Sequence, residues 1–213
     1  MKPVGPAGDG PAPRRRLVIM SRWPAAGRCK RRLAADLGPA AASRIQAVLG
    51  HHVLAAARQA RQQLGFELVL ASSGLGGGAT RRWARQLGCD QGLVQGHGGL
   101  GLRLQRQLQH GWRAGASRVV LIGSDLPELE PGDLLEAFSA LEQTPLVLGP
   151  AVDGGYWLIG LQRGCPPLFC GIPWGGDQVL ARTQAEAARQ GLHWHCLRRQ
   201  SDLDRAAELA RWR

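Results

Sequence analysis

Four short segments of the chain bring together residue types that can do chemistry. In Gly123-Ser124-Asp125-Leu126-Pro127 a run of apolar residues stops abruptly at a carboxylate. An Asp at a strand end, beside a turn fixed by Pro, is placed to hold a divalent cation that also touches substrate phosphates, the usual habit of magnesium. The other role open to Asp125 is to cap the turn that follows. Between Ser21 and Leu33, Gly27 lets the backbone approach a phosphate, and Arg28, Lys30, Arg31 and Arg32 supply positive charge near a helix N-terminus. This is not a Walker loop, since G-x-x-x-x-G-K is absent, and a solvated basic turn has the same composition. In Asp153-Gly154-Gly155-Tyr156 the paired glycines allow close approach, and Asp153 and Tyr156 can contact a ligand; a plain Asp-Gly turn is the alternative. In Ser201-Asp202-Leu203-Asp204 two carboxylates one residue apart project to one side of an extended segment.

Such residues need a scaffold, and the hydrophobic pattern supplies one. Residues 16–21, 66–71 and 118–125 contain continuous apolar runs, as expected of strands buried on both faces. Helical periodicity runs over 39–63, with Ile45, Val48, Leu49, Val53 and Ala56 on one stripe and Pro39 suited to the first turn. His52 falls on that stripe as a packed core histidine, and His51 faces solvent. The glycine-rich stretch 72–78 reads as an exposed loop able to close over a ligand. A short helix near 80–87, a weak strand near 92–95 and helices over 100–114, 131–143 and 177–190 follow, the last capped by Gly191. A half-buried strand at 192–197 completes the pattern. Strand and helix alternate, which implies right-handed crossovers and a mostly parallel sheet covered on both sides. Residues 146–149 and 156–161 are too close for a crossover helix, so they are antiparallel or belong to a mixed extension. The expected fold class is α/β: one Rossmann-like three-layer domain around a central mixed, mainly parallel sheet. Ligands of such sheets bind beyond the carboxyl ends of the strands, where the four segments lie.

With 213 residues the chain has about one domain's worth of core, and its 44% hydrophobic and 20% charged residues exclude a fibrous or wholly disordered protein. Residues 1–13, rich in Pro and Gly, are expected to form a disordered tail before a domain spanning 14–213. No run reaches the roughly 18 apolar residues of a membrane span, and 17–20 is too short for a signal-peptide core, so a cytoplasmic protein without membrane attachment is expected. Cys29, Cys89, Cys165, Cys170 and Cys196 form no C-x-x-C pair and read as reduced thiols. His193 and His195 share a strand face but lack a third metal ligand. A net charge of +11 invites a nucleic-acid partner. Its distribution argues otherwise: Lys2 and Lys30 are the lysines, and the arginines are scattered over every helix. The surplus would still attract anionic substrates.

The order of the motifs is more specific than any one of them. PAAGRCKRRL at 24–33, LGLRL at 100–104, GSDLPEL from Gly123, GPAVDGGYWLIGL from Gly149, GIPW at 171–174 and SDLD at 201–204 resemble the bacterial arsenosugar-biosynthesis-type glycosyltransferases. That family has the GT-A nucleotide-diphosphosugar transferase fold and is similar to the 2-phospholactate and molybdopterin nucleotidylyltransferases. The resemblance covers about residues 17–209. It implies nucleotide binding by Gly27, Lys30, Arg32, Arg103 and Ser124, and a Mg2+ or Mn2+ ion on Asp125 and Asp204. It further implies catalytic roles for Asp125 and Asp153 and substrate contacts from Gly154, Gly155, Tyr156 and Trp174. Departures from the pattern are Arg31 for Thr, Ala25-Ala26 for a Val-Pro pair, Gly99 for an acidic residue, Gly175-Gly176 for Ser-Thr and Arg205 for Thr. The last removes the usual helix cap ahead of Glu208 and leaves Asp204 to serve as one.

The activity implied is metal-dependent transfer from a nucleotide-activated donor, a nucleotide sugar, to a small-molecule acceptor. Two alternatives stay open on the residues alone. One is nucleotidyl transfer from a nucleoside triphosphate to a small phosphorylated substrate; the other is a non-catalytic nucleotide- or nucleic-acid-binding module.

Overall fold

Seven strands build one sheet: β1 (Arg15–Arg22), β2 (Glu67–Ser73), β3 (Gln91–Val94), β4 (Arg118–Gly123), β5 (Leu146–Pro150), β6 (Tyr156–Leu161) and β7 (Trp194–Cys196). Their spatial order is β3-β2-β1-β4-β6-β5-β7. Every neighbouring pair is parallel except those involving β6, which runs antiparallel to both β4 and β5. The short gap at 151–155 therefore makes a hairpin, as its length requires. The structure, a computed structural model, describes residues 14–212; the expected tail at 1–13 lies outside them.

Alternate residues along the strands feed two cores. Leu17, Ile19, Leu68, Leu70, Val120 and Ile122 pack beneath helices α2 (Pro39–Leu64), α3 (Gly77–Gln86) and α5 (Pro131–Gln143). Val18, Val69, Val119, Leu121, Leu148 and Ile159 pack on the other face beneath α4 (Leu100–Arg113) and α6 (Val179–Arg189). This is why the strand sequences are apolar without alternation: both faces are covered. The three-layer α/β reading holds. Among the described residues no helix is long and apolar enough to cross a membrane.

Four expectations are corrected. Helix α1 (Arg31–Leu37) precedes α2, ended by Gly38 at φ 83, and packs Leu33 against Leu49 and Leu203 in a third, smaller core. Its single turn or two carries too little periodicity to announce itself. The stretch 72–78 is mostly not loop: Ser72 and Ser73 belong to β2, and α3 starts at Gly77. Burial of Thr80 and Ala84, and a 2.6 Å bond between the Ser72 and Thr80 hydroxyls, overrides the poor helix propensity of glycine. Val48 lies 54% exposed, because α2 turns Gln46, Leu49 and Val53 inward instead. His52 is half-buried against the Trp212 ring, centroids 6.4 Å apart, at the edge of the core and not inside it. His195 meets Glu136 at 2.8 Å.

Candidate active site

The sheet order reverses between β1 and β4: the chain leaves β1 for β2 on one side and leaves β4 for β5 on the other. That crevice is where open α/β sheets hold ligands. Leu203 fixes what fills it. Leu203 is buried, and its N–H donates to the Asp125 carbonyl at 3.0 Å, which pins an extended segment across the end of β4. The residues on either side of Leu203 project together, away from the core. Asp202 and Asp204 thereby join Asp125, with one carboxylate oxygen from each within 4.8 Å of the others.

Lys30 enters this cluster from the loop after β1. Its Nζ donates to Asp125 Oδ2 at 2.8 Å and to Asp204 Oδ1 at 2.9 Å, and its side chain is almost fully buried. Lys30 holds φ 46 and ψ 53, the one left-handed non-glycine residue among those described. That conformation costs about 1 kcal/mol or more and persists where surrounding contacts hold it, here the double ion pair. Burial alone would lower the pKa of the ammonium; the charges and hydrogen bonds of Asp125 and Asp204 outweigh it, and the net shift is upward. Asp202 goes the other way for a carboxyl group. Burial first, then the negative charges of Asp125, Asp204 and Asp153, push it up to about 6.

The donor set fits a divalent cation. Three carboxylate oxygens converge on one region, and Asp202 lacks the lysine hydrogen bond that Asp125 and Asp204 share. Hard oxygen ligands in that number and spacing suit Mg2+ or Mn2+.

On one side of Asp125 opens a groove of about 520 Å³ lined by Arg22, Lys30, Arg31, Arg32, Arg103 and Gln95. It continues into a depression of about 440 Å³ that holds Gly27, Arg28 and Trp23. On the other side lies a smaller cavity of about 170 Å³ walled by Tyr156, Trp157 and Trp174, with Asp153 and Asp202 on its polar side. Groove and cavity share Leu100, Gly123 and Asp125.

The residues expected at the site are distributed unevenly. Lys30, Arg32, Arg103, Ser124, Asp125 and Asp204 line the groove, and Asp153, Gly155, Tyr156 and Trp174 line the cavity. Gly27 sits in the adjoining depression. Arg32 reaches Asp204 at 3.6 Å from an open position. Ser124 is buried, and its hydroxyl takes a hydrogen bond from Gln46 Nε2 at 3.0 Å. Gly154 does not line the cavity. Its φ is +88, and a Cβ there would lie 2.0 Å from the Asp177 carbonyl oxygen, so its glycine serves the packing of the hairpin against the start of α6. Asp204 is not a cap: the Glu208 carboxylate accepts from the Asp204 and Arg205 N–H groups at 2.6 and 2.8 Å, doing the work the missing Thr would share.

Asp202, Arg22 and Gln95 are polar lining residues outside the expected site set. Asp202 carried a signal, since it is half of the same D-x-D pair. Arg22 and Gln95 carried none. Gln95 Nε2 donates to the Ser21 and Ala71 carbonyls at 3.2 and 3.0 Å, tying the ends of β1 and β2 together, and only the pairing of distant strands puts it there.

Comparison with known proteins places this geometry in context. The family described as "Uncharacterized protein conserved in bacteria (DUF2064)" matches residues 53–176. No curated protein matches the sequence. A Desulfovibrio desulfuricans G20 protein provisionally assigned as a nucleotide-diphospho-sugar transferase is similar at 28% identity and a TM-score of 0.78, over 90% of this chain and 82% of that one. The inositol-1-phosphate CTP transferase from T. maritima shares the fold at 15% identity and a TM-score of 0.58, over 92% and 91% of the two chains. So does Rv0371C of Mycobacterium tuberculosis H37Rv in complex with manganese, at 20% identity and a TM-score of 0.51, over 94% and 98%.

Proposed function

This chain belongs to the DUF2064 family, and from that premise we propose that it is a metal-dependent transferase acting on a nucleotide-activated donor, most closely a glycosyltransferase of the arsenosugar-biosynthesis type. The observation that carries the reading is the convergence of Lys30, Asp125, Asp202 and Asp204 at the β1/β4 crevice, beside a groove rich in arginine. A nucleoside diphosphate is an anion that such a groove neutralises, and the carboxylates would hold the Mg2+ or Mn2+ that accompanies it. The Desulfovibrio protein and the cytidylyltransferase-like neighbours support a nucleotide substrate.

In glycosyl transfer, an acceptor hydroxyl oxygen bonds to the anomeric carbon as the bond from that carbon to the diphosphate oxygen breaks. Lys30, Arg32 and Arg103 neutralise the departing nucleoside diphosphate, which takes the electron pair. Asp153, oriented by the bond from the Gly155 N–H to its Oδ1 at 2.9 Å, accepts the hydroxyl proton. A divalent cation, when held by Asp125, Asp202 and Asp204, would supply Lewis acidity. Nucleotidyl transfer is the second reading, favoured by the shared fold with the inositol-1-phosphate CTP transferase; there a substrate phosphate attacks the α-phosphate of a triphosphate.

Titration calorimetry with UDP, GDP, UDP-sugars and nucleoside triphosphates, each with Mg2+, Mn2+ or chelator, tests the proposal. Metal-dependent binding with preference for a diphosphosugar supports glycosyl transfer, and a triphosphate turned over with pyrophosphate release supports the second reading. Absence of binding to any nucleotide with either metal overturns both.

A further inference from the structure

The molecule sorts its charges sharply across Asp125. The groove side carries Arg22, Lys30, Arg31, Arg32 and Arg103. The cavity side carries Asp125, Asp153 and Asp202, and among the described residues no Lys, Arg or His lines it. Its remaining walls are aromatic and aliphatic side chains together with the backbone of Gly123, Gly155, Gly175 and Gly176. Trp174 is built into place: its ring stacks on Phe169 with centroids 6.4 Å apart and planes 12° apart, meets Tyr156 edge-on at 6.2 Å, and rests on α4 where Gly101 leaves room. A Cβ at position 101 would lie 2.6 Å from Trp174 Nε1.

A phosphorylated or carboxylated group entering this cavity would meet three carboxylates and no basic side chain, and a cation held by Asp125, Asp202 and Asp204 would be shared with the nucleotide phosphates on the groove side. A hydroxylated group meets the opposite situation. Carboxylate oxygens accept hydrogen bonds from hydroxyls, and an indole face packs against the C–H face of a ring. The cavity's 170 Å³ suits a group of monosaccharide size.

Resting on the transferase reading above, the geometry points to an uncharged polyhydroxylated molecule or group, a sugar or cyclitol without phosphate or carboxylate, as the occupant of the Asp153-Trp174 cavity. Every phosphate of the reaction then belongs to the nucleotide and lies on the groove side. Nucleotidyl transfer to a phosphorylated substrate places a phosphate on the cavity side, so this charge sorting separates the two readings of the same fold.

The test compares matched pairs by saturation-transfer NMR and competition: glucose with glucose 1-phosphate, and myo-inositol with inositol 1-phosphate. Each pair is measured on the free protein and with UDP and Mg2+ present. The neutral member should bind at least about tenfold more tightly, because the cavity carboxylates repel a phosphate. Asp153→Asn combined with Asp202→Asn should shrink that ratio towards one, and Trp174→Phe should weaken the neutral members while leaving UDP affinity unchanged. Preference for the phosphorylated member in wild type overturns the inference, as does failure of every neutral and phosphorylated probe to bind. Calorimetry with UDP in the same samples keeps the two questions apart: nucleotide binding with a phosphate-preferring cavity refutes the inference and spares the site, whereas absence of nucleotide binding refutes the site reading, and the pairs on free protein still decide the cavity's preference.

Discussion

Lys30→Met is the most informative single change, because Lys30 occupies the carboxylates that the proposed cation would need. The ammonium donates to Asp125 and Asp204 at 2.8 and 2.9 Å, occupying two of the three carboxylates that would bind the cation. A metal entering alone has to displace two charge-assisted hydrogen bonds, worth about 1.5 kcal/mol or more each in net terms. Methionine keeps the length and removes the charge, so Mn2+ alone should bind roughly 100-fold more tightly, at about 1.4 kcal/mol per tenfold. The nucleotide should respond in the opposite direction. On the proposed reading the diphosphate would draw Lys30 off the carboxylates as the metal binds, so each ligand would help the other by the same factor. In the variant UDP or GDP should bind about tenfold or more weakly in saturating Mn2+, since one phosphate cation is gone. The cooperativity should largely disappear. Calorimetric titration of MnCl2 alone, of nucleotide alone, and of nucleotide in excess MnCl2 gives all the constants. Mn2+ binding that is unchanged or weaker in Lys30→Met would refute the reasoning, for the ammonium would then not be competing for those oxygens.

Three further outcomes follow from the geometry. Asp125→Asn keeps size and removes charge, so metal-dependent nucleotide binding should largely vanish while circular dichroism stays near wild type and the melting temperature falls by about 3 °C or more, from the lost ion pair to buried Lys30; metal dependence equal to wild type would contradict the assignment. Asp202 has a folded-state pKa raised from 3.8 to about 6, so the folded chain holds a proton that the unfolded chain releases and stability falls as pH rises through that window. Asp202→Asn should therefore melt higher than wild type at pH 7 by roughly 3 °C, for a gain trimmed by solvent to about 1 kcal/mol, with the difference shrinking towards pH 4.5; a difference independent of pH sinks this account. Gly154→Ala drives a Cβ to within 2.0 Å of the Asp177 carbonyl at a left-handed φ, so it should cost about 2 kcal/mol or more and lower the melting temperature without changing the metal dependence of any remaining nucleotide binding.

What could be read from the chain and what could not divide along a physical line. The strands around Val18, Val69 and Leu121 were legible because a sheet covered on both faces demands continuous apolar runs, and a run needs no partner to be seen. Asp125 was legible because a carboxylate ending such a run serves packing poorly. Helix α1 was not: seven residues show too few turns, and its stability comes from Leu33 meeting Leu49 and Leu203, partners far away in sequence. The glycines at the start of α3 misled because propensity is a weak prior against a buried Thr80 and Ala84. Gln95 and Arg22 were invisible for the same reason, since strand pairing alone brings them to the groove.

Charge was the property least legible of all. Read as a total, +11 suggests a molecule that attracts any polyanion. Read in three dimensions, Lys30 and the arginines line the groove, whereas Asp125, Asp153, Asp202 and the Trp174 indole line the cavity with no Lys, Arg or His among the described residues. The sorting depends on Leu203 donating to the Asp125 carbonyl, a bond that joins residues 78 positions apart and turns Asp202 towards the cavity side while Asp204 remains on the groove side with Lys30. The two acids of one D-x-D pair thus line different hollows while still meeting at Asp125, and buried Leu203 between them fixes that arrangement.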